Sequence, residues 1–289
     1  MLLHIQLYTN DKMLHQLDNL YCADVVKRPS ASIKSPYVAD ISIQGNNELA
    51  HSPSLGCCGL ADAGASVFVQ KSKKDTTKTG YTVYLSLHQE VKHGITCETI
   101  VGIHPKTAEL LVENALKGGF LSKLQNVKSY KRETTIKVIG KVDSRFDFSG
   151  IDCNGIPFLM EVKNVPLADY EDLCLKERKK LDFSDREFGS KVAYFPDGYR
   201  KKSTEPVSPR AIKHIKELTL IKCESKVRCI MCYVIQRTDV DRFTASVIDP
   251  EYKSAFNDAI SCGVEIITMV VKWNNNGCAE FVRDDLPIC

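Results

Sequence analysis

The sequence predicts a mixed α/β protein in which a small β-barrel precedes a larger part built on a central sheet. Three observations predict this fold class. From Leu20 to about Gln70, short β-like runs alternate with Gly, Pro and Asn, which is typical of a small Greek-key barrel. Helix-period segments begin near Pro105, Pro209 and Pro250. Residues 227–235 are almost continuously apolar, as expected of a strand buried on both faces.

The composition is that of a soluble globular protein, with 43% apolar and 26% charged residues among 289. A net charge of +3 is too small to indicate a nucleic-acid partner by itself, so any basic signal must be local. The chain has no cationic start followed by an apolar core and no apolar run of about 18 residues. We therefore expect an intracellular protein, cytoplasmic or nuclear, with no signal peptide, transmembrane segment or membrane partner.

Twelve cysteines would indicate disulfides in a small secreted domain, but this chain is large, so we expect reduced thiols. The spacing Cys229-x-x-Cys232 invites a zinc interpretation. It lies inside the apolar run, however, and no second Cys-x-x-Cys pair completes four ligands. The sequence therefore favours cysteines buried in a strand.

Two loops of the N-terminal part could contact phosphate. Residues 51–60, which include His51 and Ser54, are rich in Gly and small residues and could bring backbone amides close to a phosphate; the alternative is a plain turn. Residues 71–78 contain four lysines, among them Lys73 and Lys74, and could bind a phosphate backbone; the alternative is a solvated hairpin tip. Residues 1–20 show no clear period and fit either a strand or a helix.

A helix is predicted from Pro105, a residue that suits the first helical position, to Gly118-Gly119. Glu113 lies off its apolar stripe and is expected to be solvated, unless the helix packs beside the hairpin that follows and brings Glu113 to a metal.

That hairpin consists of residues 141–148 and 158–165, joined by a turn that contains Asn-Gly, a strong hairpin signal. Side chains alternate faces along a strand. Asp143, Arg145 and Asp147 should therefore share one face, and Phe146 and Phe148 the other. On the second strand Glu161 and Lys163 share a face.

The loop length decides which residues are opposed. A two-residue Asn154-Gly155 loop sets Asp147 opposite Val162, whereas a three-residue loop from Cys153, with Gly155 left-handed, sets Asp147 opposite Glu161. Opposed carboxylates repel by several tenths of a kcal/mol, roughly, unless a cation lies between them. The three-residue loop, or a bulge, would suit Mg²⁺, with Lys163 stabilising an attacked phosphate. The alternative is a surface hairpin with a cross-strand salt bridge.

The remaining segments add candidate residues. Residues 169–191 are densely charged and resemble an insertion with one amphipathic helix, and residues 194–203 should form a loop. Ser208 should cap the next helix, with Arg210 contributing to an anion site near its N-terminus and His214 on the surface or in a cap.

Gln236 and Arg237 follow the buried strand, where the sites of open α/β sheets gather. A helix to residue 260 and a strand over residues 264–273 follow.

Several segments together resemble the sugar fermentation stimulation protein A family. SRFDF at residues 144–148 is similar to the family's S-R-I/V-D-F, and EVKNV at 161–165 to its E-V-K-S/N-V. SPRAIKHIKEL at 208–218, VIQRTD at 234–239 and IDPEY at 248–252 resemble further family motifs. HSPSLG at 51–56 resembles H-C-P-N-T-G, although Ser54 and Leu55 replace the Asn and Thr, and Ala211 replaces a glycine. The resemblance covers residues 20–272.

The resemblance implies an N-terminal OB-like domain over residues 1–95. It also implies a PD-(D/E)XK restriction-endonuclease-like domain with a mixed central sheet over residues 96–289, with an insertion at about 169–191. The implied activity is nucleic-acid binding, DNA rather than RNA, with Mg²⁺- or Mn²⁺-dependent phosphodiester cleavage. The alternatives are a catalytically silent DNA-binding regulatory protein and a structural or interaction module.

Site residues follow from the same resemblance. Asp147 and Glu161 would be metal ligands, Glu113 a candidate third acid, and Lys163 the catalytic lysine. Gln236 and Arg237 would lie beside the phosphate. The candidate nucleic-acid contacts are His51, Ser54, Lys73, Lys74, Arg145, Arg210 and His214.

Overall fold

The computed structural model describes residues 12–54, 57–73, 78–196 and 205–289. The first strand, β1, spans Met13–Gln16. Six strands of one sheet follow: β2 (Leu20–Lys27), β3 (Val38–Ile43), β4 (Asn46–His51), β5 (Ser66–Lys71), β6 (Tyr81–Lys92) and β7 (Ile95–Gly102). The elements of the middle region are α1 (Pro105–Lys117), a 3-10 turn (Ser122–Leu124), β8 (Ser129–Val138), β9 (Val142–Ile151), β10 (Pro157–Val165), β11 (Ala168–Asp169) and α2 (Leu175–Arg178). The last elements are β12 (Lys191–Phe195), α3 (Pro209–Glu224), β13 (Arg228–Ile235), β14 (Val240–Ala245), α4 (Pro250–Ser261), β15 (Glu265–Trp273) and β16 (Cys278–Arg283).

The N-terminal six-stranded sheet is ring-like. Its order is β4-β3-β2-β5-β6-β7, and a parallel pairing of β4 with β6 joins the sheet back on itself through Ala50–Tyr81 and His51–Thr82. Small and β-branched side chains fill its interior, among them Ala39, Ile41 and Val67. The predicted β-rich start is confirmed, and β4 and β7 are additional strands that the sequence pattern did not predict.

A seven-stranded mixed sheet forms the second layer, in the order β1-β16-β15-β13-β10-β9-β8. Strands β10, β13 and β15 are parallel, and β13 is buried on both faces, as predicted. Cys229 and Cys232 are fully buried on opposite faces of β13, which confirms them as core cysteines. The core on one face includes α1, and the core on the other face includes α3 and α4. This arrangement confirms a mixed α/β fold.

The two large sheets share a hydrophobic core. Leu85 and Ile100 of the ring-like sheet belong to the same buried cluster as Met269 and Trp273 of the seven-stranded sheet. The predicted domain boundary after residue 95 falls at the start of β7, which pairs along its length with β6. A third, three-stranded sheet has the order β11-β12-β14.

Some predictions about local structure are wrong. Residues 194 and 195 end β12 rather than begin a loop; residues 197–203 of that predicted loop lie outside the described residues. Between residues 169 and 191 the one helix is a single turn, α2, and the Asp172 carboxylate before it accepts hydrogen bonds from the Ser246 hydroxyl and the Val247 N–H. Ser208 occupies the N-cap position of α3 but makes no side-chain capping bond.

Two further observations concern the cysteines and the apolarity of the helices. The structure shows no disulfide among the twelve cysteines, all of which lie in its described ranges. None of the helices in the described ranges combines the length and apolarity needed to cross a bilayer.

Candidate active site

The hairpin of β9 and β10 has the three-residue loop. Phe158 pairs with Gly150 and Met160 with Phe148, and Gly155 adopts a φ of +83°. Asp152 stabilises the turn, because its carboxylate accepts hydrogen bonds from the N–H groups of Asn154 (2.9 Å) and Ile156 (2.8 Å). The three-residue loop on which the prediction depended is therefore present, and this register would place Asp147 opposite Glu161 if the pairing continued one residue beyond Phe148–Met160.

The strands separate at Asp147. Pairing of β9 with β10 ends at Phe148–Met160, and the Asp147 carboxylate accepts a 2.7 Å hydrogen bond from the Val162 N–H in place of a backbone carbonyl. On the other side, Glu133 of β8 has a φ of +53° and the β8–β9 pairing skips the position opposite Asp147. Alternation is therefore interrupted, and the prediction that Phe146 and Phe148 share a face is wrong. Phe148 packs in the core with α1 and Phe146 in the core with α3.

Glu161 is almost completely buried, with 3% of its surface exposed. Its Oε1 contacts both the Lys163 ammonium and Nδ1 of His214, whereas its buried Oε2 has no hydrogen-bond partner in the described part of the chain. Burial by itself favours the neutral acid, but the nearby Lys163 and His214 prevail and hold the pKa of Glu161 below its usual range. Glu161 is therefore a charged carboxylate with one oxygen left for a ligand.

The pKa of Asp147 is shifted in the opposite direction from that of Glu161. Burial, followed by the charge of Glu161, raises the pKa of Asp147 to about 7, although the Val162 N–H and Lys163 oppose the shift. Two adjacent buried carboxylates cannot both ionise without cost unless positive charge is added.

Both acids line a cleft of about 440 Å³. Strand β10 contributes Lys163 and Asn164, and α1 contributes Glu109. The entrance to α3 contributes Ser208 and Arg210, and further lining residues are Ser54, Pro166, Leu167, Tyr194 and Phe195. The fold thus brings Asp147, Glu161, Lys163, Arg210 and Ser54 together from distant parts of the sequence.

The comparisons with known proteins agree with the motifs. Residues 106–277, more than half of the chain, match the family model described as "Sugar fermentation stimulation protein RE domain". The chain belongs to the sugar fermentation stimulation protein (SfsA) family. A homologue from Nitrosococcus oceani is 28% identical over 257 residues, covering 87% of this chain and 92% of that protein. A homologue from Methanobrevibacter smithii is 28% identical over 258 residues, with the same coverage.

A solved structure of Pyrococcus furiosus SfsA, in complex with Ca²⁺, has the same fold. The two structures match with a TM-score of 0.71 at 20% sequence identity, over 96% of this chain and 99% of that one.

Gln236 and Arg237 of the SfsA motif lie behind the cleft rather than in it. Both are buried. Gln236 donates to Oδ1 of Asn164 (2.7 Å) and accepts from the Trp273 indole (2.9 Å). Arg237 donates to both carboxylate oxygens of Asp239 (2.7 Å each) and to the Pro166 carbonyl (2.9 Å). They therefore contact Asn164 and Pro166, which line the cleft, and are not themselves among its lining residues.

The acid that α1 presents to the cleft is Glu109, not Glu113. Glu113 is held by Tyr130 (3.1 Å), Arg132 (2.7 Å) and Lys117 (3.0 Å). Glu109 lies one turn earlier, accepts from Arg132 (2.9 Å), and its charge contributes to the raised pKa of Asp147. Sequence reasoning missed Glu109, and the only available signal was its place four residues before Glu113 on the same helix.

His214 is not a surface residue. It is 4% exposed, and besides contacting Glu161 it lies against the ring of Phe146, with 6.0 Å between ring centroids. Helix α3 packs against the sheet through a wider face than Ile212, Ile215 and Leu218 alone, so His214 also points inward. A direct contact with nucleic acid is therefore incompatible with its position, and the prediction is corrected to a buried partner of Glu161.

The other candidate nucleic-acid contacts are spread over the surface. Arg210 is exposed at the cleft, whereas Arg145 is exposed beside Glu133, 3.3 Å away. The loop that carries Ser54 is held by Arg28, which donates to the Ser54 carbonyl at 2.6 Å. His51 is half-buried beside Tyr37, Lys73 is exposed, and Lys74 lies outside the described residues.

Proposed function

We propose that this chain is a nucleic-acid-binding phosphodiesterase that hydrolyses DNA with Mg²⁺ or Mn²⁺. The observation that carries the proposal is that the two carboxylate oxygens of Glu161 differ. Oε1 contacts Lys163 and His214, whereas the buried Oε2 has no partner among the described residues. Leaving such an oxygen unsatisfied costs about 1–3 kcal/mol. A hard cation beside Asp147 would satisfy it and offset the repulsion between the two acids.

The donor set fits Mg²⁺, which keeps several waters and is usually bound through one or two carboxylates. Asp147 and Glu161 would hold the ion, and Glu109 would bind its waters. No three His, Cys, Asp or Glu side chains of the described ranges form a ready-made cluster, which is consistent with a site completed by water and phosphate. The Ca²⁺ of Pyrococcus furiosus SfsA is likewise a cation of oxygen-rich sites. A bound ion would polarise the phosphate and lower the pKa of a bound water.

The side chains of the cleft have distinct tasks in the proposed reaction. Lys163, fixed by Glu161, would stabilise the charge that develops on the attacked phosphate. Arg210, exposed in the first turn of α3, would bind a phosphate oxygen of the same strand. His214 would keep the Glu161 carboxylate oriented, as residues behind metal ligands commonly do.

The architecture is compatible with this chemistry. We propose that the ring-like sheet is an OB-like module that binds a nucleic-acid strand, and that the seven-stranded sheet with α1, α3 and α4 is a PD-(D/E)XK-type nuclease core. The proposed division at residues 95–96 would separate these modules in function, although they share a core.

The test is cleavage of labelled single- and double-stranded DNA and RNA in Mg²⁺, Mn²⁺ or EDTA. Wild type, Glu161→Gln and the exposed control Glu224→Gln would be purified in parallel. We expect cleavage only with a divalent ion, retained in the control and lost in Glu161→Gln. Metal-independent retention of nucleic acid without cleavage would overturn the nuclease proposal in favour of a silent DNA-binding protein.

A further inference from the structure

A second cleft, of about 810 Å³, lies on the other side of the first turns of α1. We call it the basic cleft. It lies between β1, residues 71–73 at the end of β5, β6 and α1, and its lining includes Tyr21, Lys71, Lys73, Tyr84, His104 and Lys106. We propose that the basic cleft binds a single-stranded segment of the nucleic acid whose phosphodiester enters the active site. This inference rests on the proposed function, because it specifies the substrate of that site.

The charge of the basic cleft suits a polyanion. Its three lysines are exposed and form no ion pair with any other described residue, and the single carboxylate among its lining residues is Asp18. The active-site cleft has the opposite balance, with the acids Glu109, Asp147 and Glu161 against Lys163 and Arg210. A strand would therefore gain little electrostatic attraction at the active site itself. The unpaired lysines of the neighbouring cleft would supply it.

The same cleft offers aromatic surfaces for bases. Tyr21 is 41% exposed and stands edge-on to Tyr81, with 5.9 Å between centroids. Tyr84 and His104 are stacked, with 4.5 Å between centroids and 7° between ring planes. Lysines combined with aromatic rings are the usual means by which proteins bind single strands without sequence preference.

His104 contributes a ring without charge to this stacked pair. Burial, and then the nearby charges of His51 and Lys106, lower the pKa of His104 to about 4, so the stacked ring is neutral at physiological pH. A neutral stacked ring suits a base better than a phosphate.

Helix α1 connects the two clefts. Pro105, Ala108 and Glu109 line the active site, whereas Lys106, Thr107 and Leu110 line the basic cleft. A strand that crosses the N-terminal turns of α1 would therefore contact both. Base stacking on Tyr21 or on the Tyr84–His104 pair requires bases that are not already paired and stacked in a duplex, so the occupant is single-stranded.

The test measures binding of fluorescent single-stranded DNA by anisotropy in EDTA, where no cleavage is expected, as a function of salt. The triple variant Lys71→Ala, Lys73→Ala, Lys106→Ala is compared with Lys179→Ala, Lys180→Ala, Lys226→Ala. The second variant removes the same charge from exposed lysines that line neither cleft. We expect the first to bind at least about tenfold more weakly and to lose about 2 from the salt slope, at about 0.7 per phosphate contact. The control should keep the wild-type slope.

Equal affinities and slopes for the two triple variants would overturn the assignment of the basic cleft, whether or not the protein cleaves. Lysine-dependent binding without cleavage would sustain it while contradicting the nuclease proposal. Duplex binding as tight as that of a single strand, with the same lysine dependence, would overturn the single-strand assignment.

A second measurement does not depend on variants. Bromouracil-substituted single strands would be photo-cross-linked to the wild-type protein and mapped by mass spectrometry. Cross-links to Tyr21, Tyr84 or His104 would support the proposal, and cross-links confined to other regions would contradict it.

Discussion

The carboxylate of Asp147 accepts a 2.7 Å hydrogen bond from the backbone N–H of Val162, at the point where the pairing between β9 and β10 ends. One side chain therefore has two tasks. It replaces a backbone acceptor that the separating strand has withdrawn, and it presents a carboxylate to the cleft beside Glu161.

These two tasks can be separated by substitution. We predict that Asp147→Asn folds with at least the wild-type free energy of unfolding, because the amide oxygen still accepts from Val162 and a buried charge is removed. Asp147→Leu leaves that N–H unsatisfied and should lose about 1–3 kcal/mol. Urea unfolding in EDTA measures both. Equal stability of the two variants would show that the bond to Val162 has no structural role.

His214 should affect stability and cleavage through its contact with Glu161. We predict that His214→Ala lowers the free energy of unfolding by about 1–3 kcal/mol, because it leaves the buried Oε1 of Glu161 with Lys163 alone. It should also slow metal-dependent cleavage. His214→Asn, whose amide can donate from near the position of Nδ1, should recover part of both. Wild-type stability and cleavage in His214→Ala would contradict this role.

Glu109 and Glu113 form a matched pair, because each accepts a hydrogen bond from Arg132. We predict that Glu109→Gln raises the Mg²⁺ concentration needed for half-maximal cleavage several-fold, and that Glu113→Gln has a clearly smaller effect. The reason is that only Glu109 of the two lines the cleft. A Mg²⁺ titration of cleavage measures the difference. A larger effect of Glu113→Gln would return Glu113 to the metal site.

The lowered pKa of Glu90 predicts that the stability of the fold depends on pH. Burial alone would raise its pKa, but hydrogen bonds from His88 and Tyr170 and the charge of Lys191 lower it to about 2, from 4.5. Because the folded-state pKa is depressed, the stabilisation is complete above 4.5 and is lost as the pH falls towards 2.

We therefore expect Glu90→Gln to lose about 1–2 kcal/mol at neutral pH, after allowing for partial solvent screening. The difference from wild type should shrink continuously in unfolding curves measured from pH 5 downwards. The exposed Glu98→Gln on the neighbouring strand is the control. A difference that stays constant down to pH 2 would refute the coupling.

Local chemistry made part of the site predictable. The Cys153-Asn154-Gly155 turn depends on neighbouring residues, so the register that brings Asp147 towards Glu161 could be derived on the condition of a three-residue loop. The mixed α/β class followed from the periods of the helices and from the apolar run of β13.

Residues whose role depends on packing could not be derived. His214 is polar and lies beside an apolar stripe. Its side chain points inward because α3 packs with this side of the helix towards Glu161 of β10. Glu109 and Glu113 are one turn apart, so sequence alone does not tell which of them faces the cleft. Gln236 was expected to belong to a site at a strand end, but its partners Asn164 and Trp273 come from other strands and keep it buried.

The most direct test of the proposed chemistry is the single-turnover rate of DNA cleavage in Mg²⁺ for wild type and Lys163→Met. We predict that the variant binds DNA in EDTA like wild type. Its cleavage should slow by about 10²–10³-fold, the usual cost of removing a group that stabilises charge in the transition state. Cleavage by Lys163→Met at the wild-type rate, or no metal-dependent cleavage by wild type, would contradict the assignment of this cleft as a nuclease site.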